Sequence, residues 1–270
     1  MKGMLVWKKD LGVMKSKHGH GEGSSPVLHG DTLVINWDHE GGSFVVALDK
    51  STGRERWRVK RDEVTSWATP IVVEHAGSLQ LVVSGTGRIR SYDLATGRVI
   101  WECGGLSANI VCSPVAGHGM VFVGSSYEKQ VMMAIELDGA SGDITDSDKV
   151  RWSRIRGTPY VPSSLLYKES IYVLRHYQGI LTRIEAMSGE EKQGPFRLGG
   201  IRNVYASPVA AANRIYITDL DGMTMVLSHE QQPRVLSMNQ LNDSFSASAA
   251  IVDKEIYLRG LKRLYCIAED

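Results

Sequence analysis

The stretch Asp49-Lys50-Ser51-Thr52-Gly53-Arg54-Glu55-Arg56-Trp57 recurs as Asp93-Leu94-Ala95-Thr96-Gly97-Arg98-Val99-Ile100-Trp101. Both copies begin on an acidic residue, turn on Thr-Gly and end on Trp. A longer version runs from Asp138 to Trp152 and carries the acidic insertion Asp143-Ile144-Thr145-Asp146-Ser147-Asp148. Glu185-Ala186-Met187-Ser188-Gly189-Glu190 keeps the turn and replaces the Trp with Phe196. In Ser228-His229-Glu230-Gln231-Gln232-Pro233 the turn is made without Thr-Gly. Self-similarity at such a period marks a chain built from stacked supersecondary units.

A second motif runs in phase with the first. It reads Ser25-Pro26-Val27, Thr69-Pro70-Ile71, Ser113-Pro114-Val115, Ser163-Ser164-Leu165, Ser207-Pro208-Val209 and Ser248-Ala249-Ala250, at intervals of 44, 44, 50, 44 and 41 residues. Six units therefore occupy the chain. Within them lie short runs such as Thr32-Leu33-Val34-Ile35-Asn36, Ser170-Ile171-Tyr172-Val173-Leu174 and Arg214-Ile215-Tyr216-Ile217-Thr218. They are β-branched and aromatic, and Gly, Asp or Asn bounds most of them, which is the signature of strands. No segment sustains a helical period. Each unit has four runs, here termed A to D. The pattern predicts an all-β fold: a β-propeller of six four-stranded antiparallel blades. A single blade cannot cover its own two apolar faces, whereas blades stacked around an axis cover one another.

The blades fall at about 24–60, 66–106, 111–157, 160–200, 205–242 and 245–270, the last completed by 1–11, in one domain over 1–270. The last unit ends at Leu264-Tyr265-Cys266-Ile267-Ala268-Glu269-Asp270 with no D run, and the chain starts with Met4-Leu5-Val6-Trp7, a D run with its Trp. With the ends joined, Gly3 falls on the Gly53 position and Trp7 on that of Trp57. The N-terminal run is thus expected to close the last blade, which would remove exposed strand edges. A longer propeller cut at a repeat boundary, or one completed by oligomerisation, would have the same phase.

Lys and Arg number 31 against 30 Asp and Glu, so there is no global field to draw nucleic acid or anionic membrane. No run approaches the ~18 apolar residues of a membrane span. Lys2, Lys8 and Lys9 flank an apolar run too short for a signal peptide, so the expectation is that the chain as written stays in the cytoplasm or has lost its leader. Cys103, Cys112 and Cys266 form neither a disulfide framework nor a zinc pattern.

The unit Ala47 to Trp57, with its looser copy Ser91 to Trp101, resembles the PQQ-like, or quinoprotein-type, β-propeller repeat. The resemblance covers essentially the whole chain. It implies that Thr-Gly makes a tight C–D turn and that the Trp packs between neighbouring blades. The class includes PQQ-dependent alcohol dehydrogenases, BamB-like scaffolds without cofactor, and many exported bacterial propellers, which this chain resembles most. That resemblance implies a periplasmic or exported protein if an N-terminal part is missing. The dehydrogenases use a disulfide between adjacent cysteines, a Trp floor, and calcium held by Glu, Asn and Asp. The cysteines here are never adjacent, and no calcium set is recognisable. No cofactor is expected, and PQQ with calcium is left as a testable exception.

In a propeller the D–A and B–C connections share one face. His18-Gly19-His20-Gly21-Glu22, before the first A run, and Trp37-Asp38-His39-Glu40-Gly41-Gly42, the first B–C turn, map to that face of one blade. His18, His20, Glu22, Asp38, His39 and Glu40 are metal-ligand and acid–base types. They are equally compatible with a polar binding rim or with plain surface loops, and whether a metal binds is open. Aromatic and Arg residues map to the same face: Trp67, Tyr127, Tyr160, Arg175, Tyr177, Arg202, Tyr205 and Phe245. The acidic insertion at Asp143 to Asp148 is expected to be a solvated turn. No nucleophile elbow or phosphate loop is present.

The reading is a non-catalytic scaffold that binds a protein, peptide or glycan on the D–A/B–C face, as a monomer. Its candidate binding residues are His18, His20, Glu22, Trp37, Asp38, His39, Glu40, Trp67, Tyr160, Arg202 and Tyr205. The alternative is an enzyme, either a PQQ-type oxidoreductase or a metal-dependent one with its site near His18, His20 and His39.

Overall fold

The β-branched and aromatic runs form twenty-four strands in six sheets. The structure is a computed structural model that describes residues 3–175 and 177–268. The chain divides into two compact units, Met1–Ser153 and Arg154–Asp270. Among the described residues the only helical turn is a 3-10 turn at Lys17–Gly19, and no helix is long and apolar enough to cross a membrane.

The first unit holds three blades. Blade 1 is β1 (Val27–His29), β2 (Thr32–Trp37), β3 (Phe44–Asp49) and β4 (Glu55–Lys60). Blade 2 is β5 (Ile71–His75), β6 (Ser78–Val83), β7 (Ile89–Asp93) and β8 (Val99–Cys103). Blade 3 is β9 (Val115–Gly117), β10 (Met120–Ser125), β11 (Val131–Glu136) and β13 (Val150–Arg154), with the short β12 (Gly142–Asp143) between the last two in sequence. In the second unit, blade 4 is β14 (Leu165–Tyr167), β15 (Ser170–Arg175), β16 (Ile180–Glu185) and β17 (Glu191–Arg197). Blade 5 is β18 (Val209–Ala211), β19 (Arg214–Thr218), β20 (Met223–Ser228) and β21 (Val235–Gln240). Blade 6 has three strands, β22 (Ala250–Val252), β23 (Glu255–Arg259) and β24 (Leu264–Ala268). Consecutive strands within each blade are antiparallel neighbours, as the repeat requires. The core lies between blades. Val45, Ala47, Leu81, Val83 and Tyr92 join blades 1 and 2, and Tyr172, Leu181, Ile215, Ile217 and Met225 join blades 4 and 5.

Both repeated motifs act between blades. In the C–D turn, the Asp49 carboxylate accepts bonds from the amides and hydroxyls of Ser51 and Thr52, and Asp93 does the same for Thr96. Gly53 and Gly97 then take φ values of +69° and +74°. The Trp of the preceding D run lies on the glycine. A Cβ on Gly97 would stand 2.7 Å from Cε3 of Trp57, whose indole N–H donates to the Leu94 carbonyl at 2.9 Å. Trp7 repeats this on blade 1, against Gly53 and with a 2.8 Å bond to the Lys50 carbonyl. The Ser/Thr of the second motif links the A strands. The Ser25 amide donates to Thr69 Oγ1 and the Thr69 amide to Ser113 Oγ; in the second unit Ser163 donates to Ser207 and Ser207 to Ser248.

Three expectations need correction. Trp7 sits where a D-run Trp should, but Met4–Trp7 forms no strand, and Met4, Leu5 and Val6 are each about four-fifths exposed. No fourth strand is found on blade 6 among the described residues; Glu269 and Asp270, part of the joined turn, lie outside them. The acidic insertion is a solvated turn only in part: Asp143, Asp146 and Asp148 are exposed, but the segment is anchored to the blade. Its Gly142–Asp143 strand runs parallel to β8, Ile144 is buried in the core around Trp101, and Arg88 pairs with Asp143 at 2.9 Å. One apolar residue inside the acidic run supplies that anchor. Phe245 is not on a rim: it is fully buried against Tyr265.

Candidate functional site

In the first unit the loops before β1, between β2 and β3, and between β4 and β5 meet on one face. Backbone bonds tie them: the Lys15 amide donates to Nδ1 of His39, the Glu40 amide to the Lys15 carbonyl, and the Lys17 amide to Thr65 Oγ1. The two segments singled out in sequence are therefore brought together, and Trp67 joins them.

They divide into a locking set, with Asp38 and His39 buried, Trp37 half-buried and Glu40 exposed, and an outer surface. Asp38 is fully buried and accepts from Arg61 on both oxygens, at 2.7 Å on Oδ1 and 3.1 Å on Oδ2, while Ser66 also donates to Oδ2 at 2.8 Å. Arg61 also donates to the Tyr92 hydroxyl at 2.6 Å. Burial alone would weaken the proton affinity of Arg61, but the Asp38 carboxylate outweighs it and holds the guanidinium charged. His39 is 7% exposed, and its Nδ1 accepts from Lys15, which assigns the ring proton to Nε2. Gly41 is required beside it, since a Cβ there would stand 2.4 Å from the imidazole Cε1. Glu40 accepts from the Thr65 hydroxyl and amide, and these bonds hold its carboxyl below the usual range. Trp37 stacks on Phe44, its cross-strand partner, at 6.1 Å.

The outer surface is His18, His20, Glu22 and half-buried Trp67. His18 and His20 meet edge to face at 5.8 Å, and His20 lies 6.1 Å from the Trp67 ring. The Trp67 indole N–H donates to the Gly21 carbonyl at 2.9 Å, and Gly23 lets the ring approach the backbone, a Cβ there meeting it at 2.7 Å. Among the described residues no three His, Cys, Asp or Glu side chains gather closely enough to hold a metal ion. The metal-dependent alternative thus has no ligand cluster at His18, His20 and His39.

In the second unit, Tyr177 stands between Tyr160 and Tyr205, with ring separations of 6.0 and 4.7 Å. Burial, followed by the two neighbouring phenols, pushes the Tyr177 hydroxyl up to about 12. Arg202 is exposed, and its amide donates to Asp219 in the turn between β19 and β20. Sequence reasoning did not find the partners of the first-unit locking set. Arg61 lies 23 residues from Asp38, and no local pattern pairs them. Glu63 was also missed. Its buried carboxylate accepts from the Gly87 and Arg88 amides and from Arg90, which pins the next blade's turn. Burial raises its pKa against those bonds.

Sheets, turn chemistry and inter-blade Trp define a β-propeller of PQQ-like repeats. A family model described as outer membrane protein assembly factor BamB matches residues 1–105 and 45–268, and the chain belongs to that family. Among solved structures it is similar to BamB from Moraxella catarrhalis, with 14% identity and a TM-score of 0.67 over 89% of this chain and 70% of that one. It is also similar to quinohemoprotein alcohol dehydrogenase from Comamonas testosteroni, with 14% identity and a TM-score of 0.58 over 82% of this chain but 43% of that one. At these identities the likeness is one of fold. A search of curated proteins found no match.

The second neighbour raises the question of PQQ. Cys103 and Cys112 are buried and Cys266 is exposed, and none of the three forms a disulfide. Among the described residues no three His, Cys, Asp or Glu side chains gather as a metal cluster either.

Proposed function

We propose that this propeller is a non-catalytic scaffold that binds an extended protein segment on the D–A/B–C face of its first blade. The observation that supports this most is the division of labour there. Asp38, His39 and Glu40 are spent on locking the loops, and the lock holds an imidazole–imidazole–indole surface of His18, His20 and Trp67 toward solvent. A rigid aromatic surface beside two exposed acidic residues, Glu22 and Glu40, suits a peptide with apolar and basic side chains, because little ordering entropy is lost on binding. Family membership agrees, since the family's description is of an assembly factor. By the same family argument the protein acts outside the cytoplasm. No cofactor takes part.

The test is a peptide-library selection on the full chain, followed by hydrogen exchange with the best peptide bound. Slowed exchange at residues 15–25 and 63–69 is expected. Slowing elsewhere only, or binding of glycans but no peptide, contradicts the proposal. The oxidoreductase alternative is tested by melting the protein with PQQ and calcium. The expected Tm is unchanged, and a rise of several degrees would favour the enzyme.

A further inference from the structure

In blades 1 and 2 the D strand fills the inter-blade space with an indole. The aligned trio is Val34–Ala47–Trp57 in blade 1 and Val82–Ser91–Trp101 in blade 2. The same register in blade 5 reads Tyr216–Val226–Ser237. Ser237 therefore stands where the repeat has Trp. All six residues of its strand, β21, are exposed, whereas Trp101 is fully buried. A cavity of about 220 Å³ lies on that face of blade 5, against blade 6. Tyr216, Val226 and Asn239 line it from one side and Ile256, Leu258 and Ile267 from the other. Among the described residues no charged side chain lines it.

We propose that this cavity, lined by Val226, the register partner of Ser237, binds a small neutral aromatic molecule of one or two fused rings beside the position of the missing indole. The volume suffices, since dry apolar cavities of about 150 Å³ take up benzene. The walls are mainly aliphatic, and the Tyr216 ring offers an aromatic contact. The polar side chains of the lining include the Thr218 and Thr224 hydroxyls, 2.9 Å apart, and the Asn239 amide. A ring carrying a single N–H or O–H can direct it to these groups while the rest of its surface stays apolar. Charged aromatics are excluded by the cost of desolvating a charge without a partner. The site is independent of the first-blade face and lies in the other compact unit.

The probe is indole, and the full chain is melted with increasing indole beside Ser237→Trp. Wild-type Tm should rise with indole, reaching about 3–6 °C at ten times the dissociation constant and climbing with the logarithm of concentration beyond it. Ser237→Trp should melt higher than wild type and lose the indole response. Thr224→Phe, which fills the cavity from the opposite strand, serves if Ser237→Trp does not fold, and it too should lose the response. No rise in the wild type, or an undiminished rise in the filled variant, overturns the proposal.

Discussion

Replacing Gly97 with Ala tests whether the inter-blade Trp, rather than the turn alone, requires the glycine. Gly97 has φ +74°, and a Cβ there would lie 2.7 and 2.8 Å from Cε3 and Cδ2 of Trp57 and 3.1 Å from Cγ2 of Val59. Gly77, in the tight A–B turn of the same blade, also has φ +74°, but nothing lies within 4 Å of its added Cβ. The two substitutions share the left-handed backbone penalty, about 1–2 kcal/mol, and the same unfolded-state effect. Only Gly97→Ala displaces a packed indole, which costs a further 1–3 kcal/mol or so. The expected losses are therefore about 1–2 kcal/mol for Gly77→Ala and about 2–5 kcal/mol for Gly97→Ala. Urea unfolding of both variants measures them. In Trp57→Ala/Gly97→Ala the combined loss should be smaller than the sum, because the clash is gone. Equal losses for the two glycine variants, or additive losses in the double variant, would refute the packing argument.

Three further outcomes follow from named contacts. Asp38→Ala should cost about 3–5 kcal/mol in denaturant unfolding, because it leaves the buried Arg61 unpaired, and Asp38→Leu/Arg61→Met should recover most of that loss. Thr69→Val removes the acceptor for the Ser25 amide and should cost about 0.5–1.5 kcal/mol, whereas Thr69→Ser should be near neutral. The Asp93 carboxyl is held below its ordinary 3.8, first by the Thr96 hydroxyl, so its contribution is present above that pH and is lost as pH falls through the lowered value. Melts of wild type and Asp93→Asn should accordingly differ at neutral pH and converge in strong acid.

The fold was legible because its determinants are local and repeated. Thr-Gly and Ser/Thr-Pro lie at fixed spacing, and each does one physical job per blade: φ above zero under an indole, or a hydroxyl that accepts the neighbouring blade's amide. The misreadings have one origin, that long-range partners leave no local mark. Met4–Trp7 has the pattern of a D run, yet a pattern forms a strand only where a neighbour supplies hydrogen bonds, and only its Trp finds its place. Asp143–Asp148 looked solvated because five polar or acidic positions outvoted Ile144, which is the residue that is buried. Of the candidate site, the convergence of the first-blade loops was readable from propeller connectivity. The split between locking and outer residues was not, since Asp38 and His39 differ from His18 and His20 only in the partners that reach them.

The most direct measurement is calorimetric titration of the selected peptide into wild type and into His18→Ala/His20→Ala. Both imidazoles are exposed, so the variant should melt with the wild type. Affinity should fall at least tenfold in the variant, in line with the loss of one well-packed contact of about 1.4 kcal/mol. Unchanged affinity in a fully folded variant would contradict the assignment of binding to this face.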